Sequence, residues 1–193
     1  MAKLLNISLI ITLLGLMACG QSNQQKQDND QALKTKGKAI AQETFKALSK
    51  ELKAALQKGG VAEAVPYCSI NALPLTQTIA KKHNVSIRRT SLHIRNPKNF
   101  PNTQERKVLE DYEQSLKTGK TPKPQLTRLS DKQTMFNAPI FIKPLCLNCH
   151  GKVGEQISKK NYALIKSSYP NDKATNYKMA ELRGMWSIVF QKK

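Results

Sequence analysis

The sequence predicts an α+β domain with N-terminal helices and a small antiparallel sheet. Two long runs with apolar residues three and four apart come first, short β-compatible segments follow, and Gly, Pro, Asn and Asp separate them. The 193 residues suffice for one core. Hydrophobic residues at 39% and charged residues at 23% are those of a globular chain, and the sequence contains no internal repeat.

The first element is a processing signal rather than part of the fold. Lys3 precedes an apolar run, Leu4 to Met17, that is short for a membrane span. It ends in Leu16-Met17-Ala18-Cys19-Gly20, which resembles the lipobox of bacterial lipoproteins. That resemblance implies removal of residues 1–18 and acylation of Cys19; an ordinary signal peptide or an uncleaved anchor is the alternative. Gly20 and Gln21 include no Asp of the kind that retains lipoproteins on the inner membrane, so a periplasm-facing outer-membrane lipoprotein is expected. Residues 19–31, rich in Gln, Ser, Asn and Asp, have the composition of a flexible tether. Residues 32–193 form the domain.

Ala32 to Leu56 reads as an amphipathic helix, with Ile40, Ala41, Phe45, Leu48 and Leu52 on one stripe and Gly59-Gly60 as its stop. Val61 to Lys82 reads as a second helix that Pro66 and Pro74 should kink or divide, with Cys68 on its apolar face. Val85 to Ile94 alternates as a strand, and the loop Asn96 to Asn102 ends it. Thr103 is expected to cap a helix to about Leu116, with Glu105 in the first turn and Gly119 after its end. Leu126 to Leu129 and Met135 to Ile142 fit a hairpin. A helix over Glu155 to Lys166, a turn at Pro170 to Asp172 and a terminal strand Gly184 to Phe190 complete the order.

The net charge of +19 would suggest nucleic acid in a cytoplasmic protein. Export removes that partner and leaves anionic lipid, acidic proteins or a carboxylate-bearing cofactor, with a solvated Lys-rich surface as the plain reading. Of four cysteines, Cys19 is assigned to lipid and Cys146 and Cys149 to one motif; Cys68 is left over and needs an explanation in an oxidising compartment.

Cys146-Leu147-Asn148-Cys149-His150 is C-x-x-C-H, the attachment signature of c-type haem. Two thiols three residues apart reach two vinyl groups at one haem edge, and the adjacent imidazole comes under the iron. A thioredoxin-like dithiol needs the motif to open a helix, and here the next helix is expected beyond Gly151 and Gly154. A zinc site of Cys68, Cys146, Cys149 and His150 asks two adjacent residues to meet one tetrahedral ion, and a Cys146–Cys149 disulfide strains a short loop. One covalent haem is the expectation.

The opposite axial ligand is open among His83, His93, Cys68, Met135, Met179 and Met185. Met135 and Met185 read as core, His83 as exposed, and His93 as ligand, propionate partner or surface residue. Cys68 is the unexplained thiol on a buried face; a small buried hydrophobe is its plain alternative.

Four segments together resemble the DUF3365, or Tll0287-like, haem domain family: Tyr67-Cys68-Ser69-Ile70-Asn71-Ala72, Ile87-Arg88-Arg89-Thr90-Ser91 through Arg95-Asn96-Pro97-Lys98-Asn99-Phe100-Pro101-Asn102, Cys146 to Gly151, and Leu182-Arg183-Gly184-Met185-Trp186-Ser187-Ile188. The resemblance spans about Ala32 to Phe190. It implies a PAS-like α+β fold holding one c-type haem, with Cys68 and His150 as its axial ligands. It also implies Arg88, Arg89 and Arg95 as propionate neighbours, a role that suits guanidinium forks.

An iron with both axial positions filled by protein suits electron transfer or redox sensing better than catalysis, so no enzymatic activity is expected. Thiolate ligation should lower the potential relative to Met/His ligation. A monohaem electron-transfer cytochrome with an unidentified redox partner leads, because the chain carries no kinase, cyclase or DNA-binding output; a haem-based redox or gas sensor signalling to a partner is the alternative.

Overall fold

The structure, a computed structural model, describes residues 11–192, with side chains from Asn23 onward, so residues 1–10 of the expected leader and the side chain of Cys19, with its expected acylation, lie outside what is described. Helix α1 (Ile11–His83) is broken once, at Gly59 (φ −159°, ψ 26°) and Gly60 (φ 63°, ψ −149°), and the left-handed φ of Gly60 is the reason a glycine stands there. Its two arms fold back as an antiparallel hairpin. Glu43 accepts from Lys82 Nζ at 2.8 Å and lies 2.7 Å from His83 Nε2, Tyr67 donates to Glu51 at 3.1 Å, and Ile40 and Ala41 pack with Ile79 and Ala80. No helix among the described residues is long and apolar enough to cross a membrane.

Pro66 and Pro74, expected to kink or divide the second arm, sit inside it without a break. Both prolines are exposed, and the carbonyls that lose a helical donor belong to Ala62 and Ile70, which are exposed too, so water serves where the missing N–H would have. Residues 23–31, read by composition as tether, continue the helix. Gln, Lys and Ala propagate a helix readily once packing further along has nucleated it, and Gln24 donates to Asp28 one turn on at 3.0 Å.

Strands β1 (Val85–Thr90), β2 (Gln125–Ser130), β3 (Gln133–Phe141) and β4 (Leu182–Gln191) form one antiparallel sheet in the order β1-β4-β3-β2. The expected hairpin is β2–β3. Alternation places Ile87 and Arg89 of β1 beside Ile188 and Trp186 of β4, with Phe136 and Ala138 of β3 beyond, on the face that packs against α1. The opposite face presents Met135 and Met185 to Val108, Leu109 and Tyr112 of α2 (Thr103–Lys117), giving three layers. Asn102, not Thr103, caps α2: its side chain accepts from the Glu105 N–H at 2.8 Å while Glu105 accepts from the Asn102 N–H at 3.0 Å. β1 ends at Thr90, short of Ile94.

Residues 142–181 leave the sheet between β3 and β4 and return as an insert. A 3-10 turn (Pro144–Cys146), helix α3 (Leu147–His150) and helix α4 (Lys159–Ser168) build it, α4 starting later than expected because Ser158 caps it, accepting from Asn161 N–H at 3.1 Å. The tip of the α1 hairpin rests on the insert, Val61 and Val65 against Ile157 and Ile165. Hairpin base on sheet and hairpin tip on insert leave a space between.

Candidate functional site

That space is a cavity of about 280 Å³, on the order of twenty times what one ordered water needs. Leu48, Leu52, Leu56 and Val65 of α1 and Ile94, Ile140 and Trp186 across from them give it apolar walls. Into it come Cys68 from the second arm of α1, Cys146, Cys149 and His150 from the insert, Arg89 from β1, Arg95 from the loop beyond β1, and Arg183 and Gly184 from β4. Cys68 arrives because it shares a helix face with Ala64, Val65 and Ala72. Cys146 closes the 3-10 turn and α3 carries Cys149 and His150, so a helical turn forms at the motif itself, where none was expected before Gly154.

Cys68, Cys146 and Cys149 are free thiols, and among the described residues no three His, Cys, Asp or Glu side chains converge as a metal site. The zinc set weighed from the sequence is therefore not assembled: these groups line one cavity without meeting, an arrangement suited to a large occupant rather than a single ion.

The His150 ring donates Nδ1–H to the Ala174 carbonyl at 2.7 Å. A carbonyl only accepts, so Nδ1 carries the proton and Nε2 is left with its lone pair. Burial, reinforced by the positive charges of Arg183 and Arg95, holds the imidazole well below its ordinary pKa, so it stays neutral and able to ligate. The Tyr177 ring meets it edge-on, centroids 6.2 Å apart. Burial raises the Cys68 thiol, opposed by Arg89 and Arg95, and raises Cys149 likewise.

The three arginines differ. Arg88 does not face the cavity: strand alternation turns it to the α2 side, where it donates to buried Glu105 at 3.0 Å and to the Phe100 carbonyl at 2.7 Å. The expected propionate role is corrected for this residue. Arg89 stands in the cavity wall over Trp186, 6.0 Å from the ring centroid, with no ion pair among the described residues, and burial lowers its pKa. Arg95 is committed: it donates to both oxygens of Asp172 at 3.1 and 3.0 Å, to the Cys149 carbonyl at 2.5 Å and to the Ala174 carbonyl at 3.2 Å.

Arg183 was missed. It donates to the His93 carbonyl at 3.0 Å, lies 5.5 Å from the Tyr177 ring centroid, and its buried Nε has no partner. Strand β4 reads as an apolar core strand, and an arginine near the start of such a strand looks like a solvent-facing end; only register shows it beside the cavity.

Of the other axial candidates, Met135 and Met185 are buried beneath α2, Met179 and His93 are exposed, and His83 is paired with Glu43. Cys68 alone of the six lines the cavity.

These features define a class: an α+β protein in which a helical hairpin, a sheet and a C-x-x-C-H insert enclose an apolar cavity rimmed by guanidinium groups. A sequence profile of the Tll0287-like family matches residues 21–190, and the chain belongs to that family. Its fold is similar to the crystal structure of the cyanobacterial heme-protein Tll0287, with a TM-score of 0.59 at 18% identity, covering 79% of this chain and 93% of that one. No curated protein sequence matches.

Proposed function

We propose that this chain is a lipid-anchored, periplasm-facing monohaem c-type cytochrome of PAS-like architecture that transfers electrons. The observation that carries the reading is that Cys146, Cys149, His150 and Cys68 line one apolar cavity, with the lone pair of His150 Nε2 left free by the bond at Nδ1. In a bound haem Cys146 and Cys149 would supply the thioethers, and His150 and Cys68 would hold the iron. A bound haem would supply one-electron chemistry. The residues present fit it: apolar walls suit the macrocycle, while unpaired Arg89 and the partnerless Arg183 Nε call for carboxylates.

The same Arg89 and Arg95 oppose the cost of a buried thiolate at Cys68, which a ferric iron would complete. Two protein ligands leave no open iron position, which supports electron transfer over catalysis. A lipid tether at Cys19, outer rather than inner membrane, and an unidentified redox partner protein belong to the proposal; nucleic acid does not.

The test is a redox titration of the exported protein followed by optical and EPR spectra. One covalent haem with a low-spin thiolate signature is expected. Cys68→Ala should lose that signature while keeping the covalent haem; an unchanged low-spin spectrum would sink the Cys68 assignment, and a haem-free exported protein the whole reading.

A further inference from the structure

Arg95 was expected at a propionate, and two of its three guanidinium nitrogens are taken by protein acceptors, the other terminal nitrogen having none among the described residues. Nε and one terminal nitrogen hold the two Asp172 oxygens, and that same nitrogen reaches the carbonyls of Cys149 and Ala174. The Ala174 carbonyl is also the acceptor for His150 Nδ1–H, and the Ala174 N–H donates to Asp172 Oδ1 at 2.9 Å. Arg95 and Asp172 are nearly shut off from solvent, with side chains 12% and 0% exposed, so the pair is fixed rather than fluctuating on the surface.

From this shared carbonyl we infer that Arg95 is the positioning residue for His150. The inference deepens the haem reading and rests on it. Two consequences follow from the geometry. The bond to the Cys149 carbonyl clamps the C-x-x-C-H turn to the loop of residues 172–174, fixing the height and rotation of the imidazole. The bond to the Ala174 carbonyl draws electron density from the oxygen that accepts Nδ1–H, which limits how much imidazolate character His150 acquires and hence how strongly Nε2 donates. Asp172 moderates that pull by neutralising the guanidinium. A lysine ammonium has as many N–H donors as the three Arg95 uses, but not the planar fork that sets Nε and a terminal nitrogen side by side on the two Asp172 oxygens, so fork geometry, not charge alone, is the requirement.

The experiment compares wild type, Arg95→Lys and Asp172→Asn as exported holoproteins by optical and EPR spectra, and follows exchange of the His150 Nδ1 proton by NMR in the haem-free protein. Both variants should keep covalent haem yet lose part of the low-spin population, with exogenous imidazole restoring it. In the haem-free protein the Nδ1 proton should exchange faster than in wild type in either variant, because the carbonyl that holds it is less firmly fixed. A wild-type spectrum together with wild-type exchange in Arg95→Lys overturns the inference, because the charge is kept and only the fork is lost. If Arg95→Lys does not fold, Asp172→Asn carries the test alone on the same readouts. Wild-type protein exported without haem would defeat the haem reading instead, and the exchange measurement would still decide whether Arg95 positions His150.

Discussion

Glu105→Gln separates a structural role for Arg88 from a cofactor role. Glu105 is 1% exposed at the N3 position of α2, with one oxygen accepting from Arg88 Nε at 3.0 Å and the other from the Asn102 N–H at 3.0 Å. Replacing the carboxylate by an amide keeps the volume and one acceptor but removes the charge. The charge-assisted bond to Arg88 contributes about 1.5–3 kcal/mol, and the weakened capping box adds roughly 0.5–1 kcal/mol. Arg88 is 38% exposed and keeps the Phe100 carbonyl, so water recovers part of its charge and the lower half of the combined range applies, about 2–3 kcal/mol. Urea unfolding with an unchanged slope and a lowered midpoint reads this directly. Spectrum and potential should stay at wild-type values, because the pair lies beyond the sheet from the cavity. A loss below about 1 kcal/mol would refute the stability argument, and a shifted haem spectrum in Arg88→Gln would refute its assignment to the α2 face.

Other expectations follow from single contacts. A Cβ on Gly37 would stand 2.4 Å from Phe136 Cγ, so Gly37→Ala should push α1 off the sheet and lower the unfolding midpoint; the overpacking cost is about 1–3 kcal/mol or more. Gly184→Ala meets the Thr90 carbonyl at 2.3 Å at a φ of 157°, so it should loosen the β1–β4 end of the cavity and reduce haem content in exported protein as well as stability. Glu43 is held below its ordinary value of 4.5 by Lys82 first and His83 second. A depressed carboxyl stabilises the fold above its unfolded pKa and loses that contribution as pH falls through its folded value. Glu43→Gln should therefore be less stable than wild type at neutral pH and converge with it in acid, as read by thermal unfolding across pH.

Much of the site was legible because its chemistry sits in rare residue types at fixed spacing. Cys146, Cys149 and His150 announce themselves, and Cys68 stands out by accounting, since one thiol had no other use. The arginines were harder. Ile87 and Arg89 alternate with Arg88, so the two neighbours had to face opposite sides of the sheet, and the apolar Ile87 already marked which side was core. Reading both as cofactor neighbours ignored that alternation. Arg95 looked free because its partner, Asp172, is distant in sequence and joined to it only by the insert. The prolines misled for a different reason: their effect depends on whether the carbonyl they orphan is wet, and exposure of Ala62 and Ile70 is a tertiary fact.

The division of labour between the two walls explains why the hairpin break matters more than either proline. Cys68 rides on α1 and His150 on the insert, so the space between the two groups is set by how the hairpin tip seats on Ile157 and Ile165, and that seating is set by the turn at Gly59 and Gly60. Gly60 holds φ 63° with no neighbour within 4 Å of an added Cβ, so a side chain there meets backbone strain and no clash. Gly60→Val, β-branched in the left-handed region, should be destabilising by about 1–2 kcal/mol or more. If the tip sets the spacing, the variant should also show a weakened Cys68 signature in the low-spin EPR spectrum of the folded protein. A destabilised protein with an unaltered Cys68 signature would mean that the cavity holds its own shape and the hairpin merely covers it.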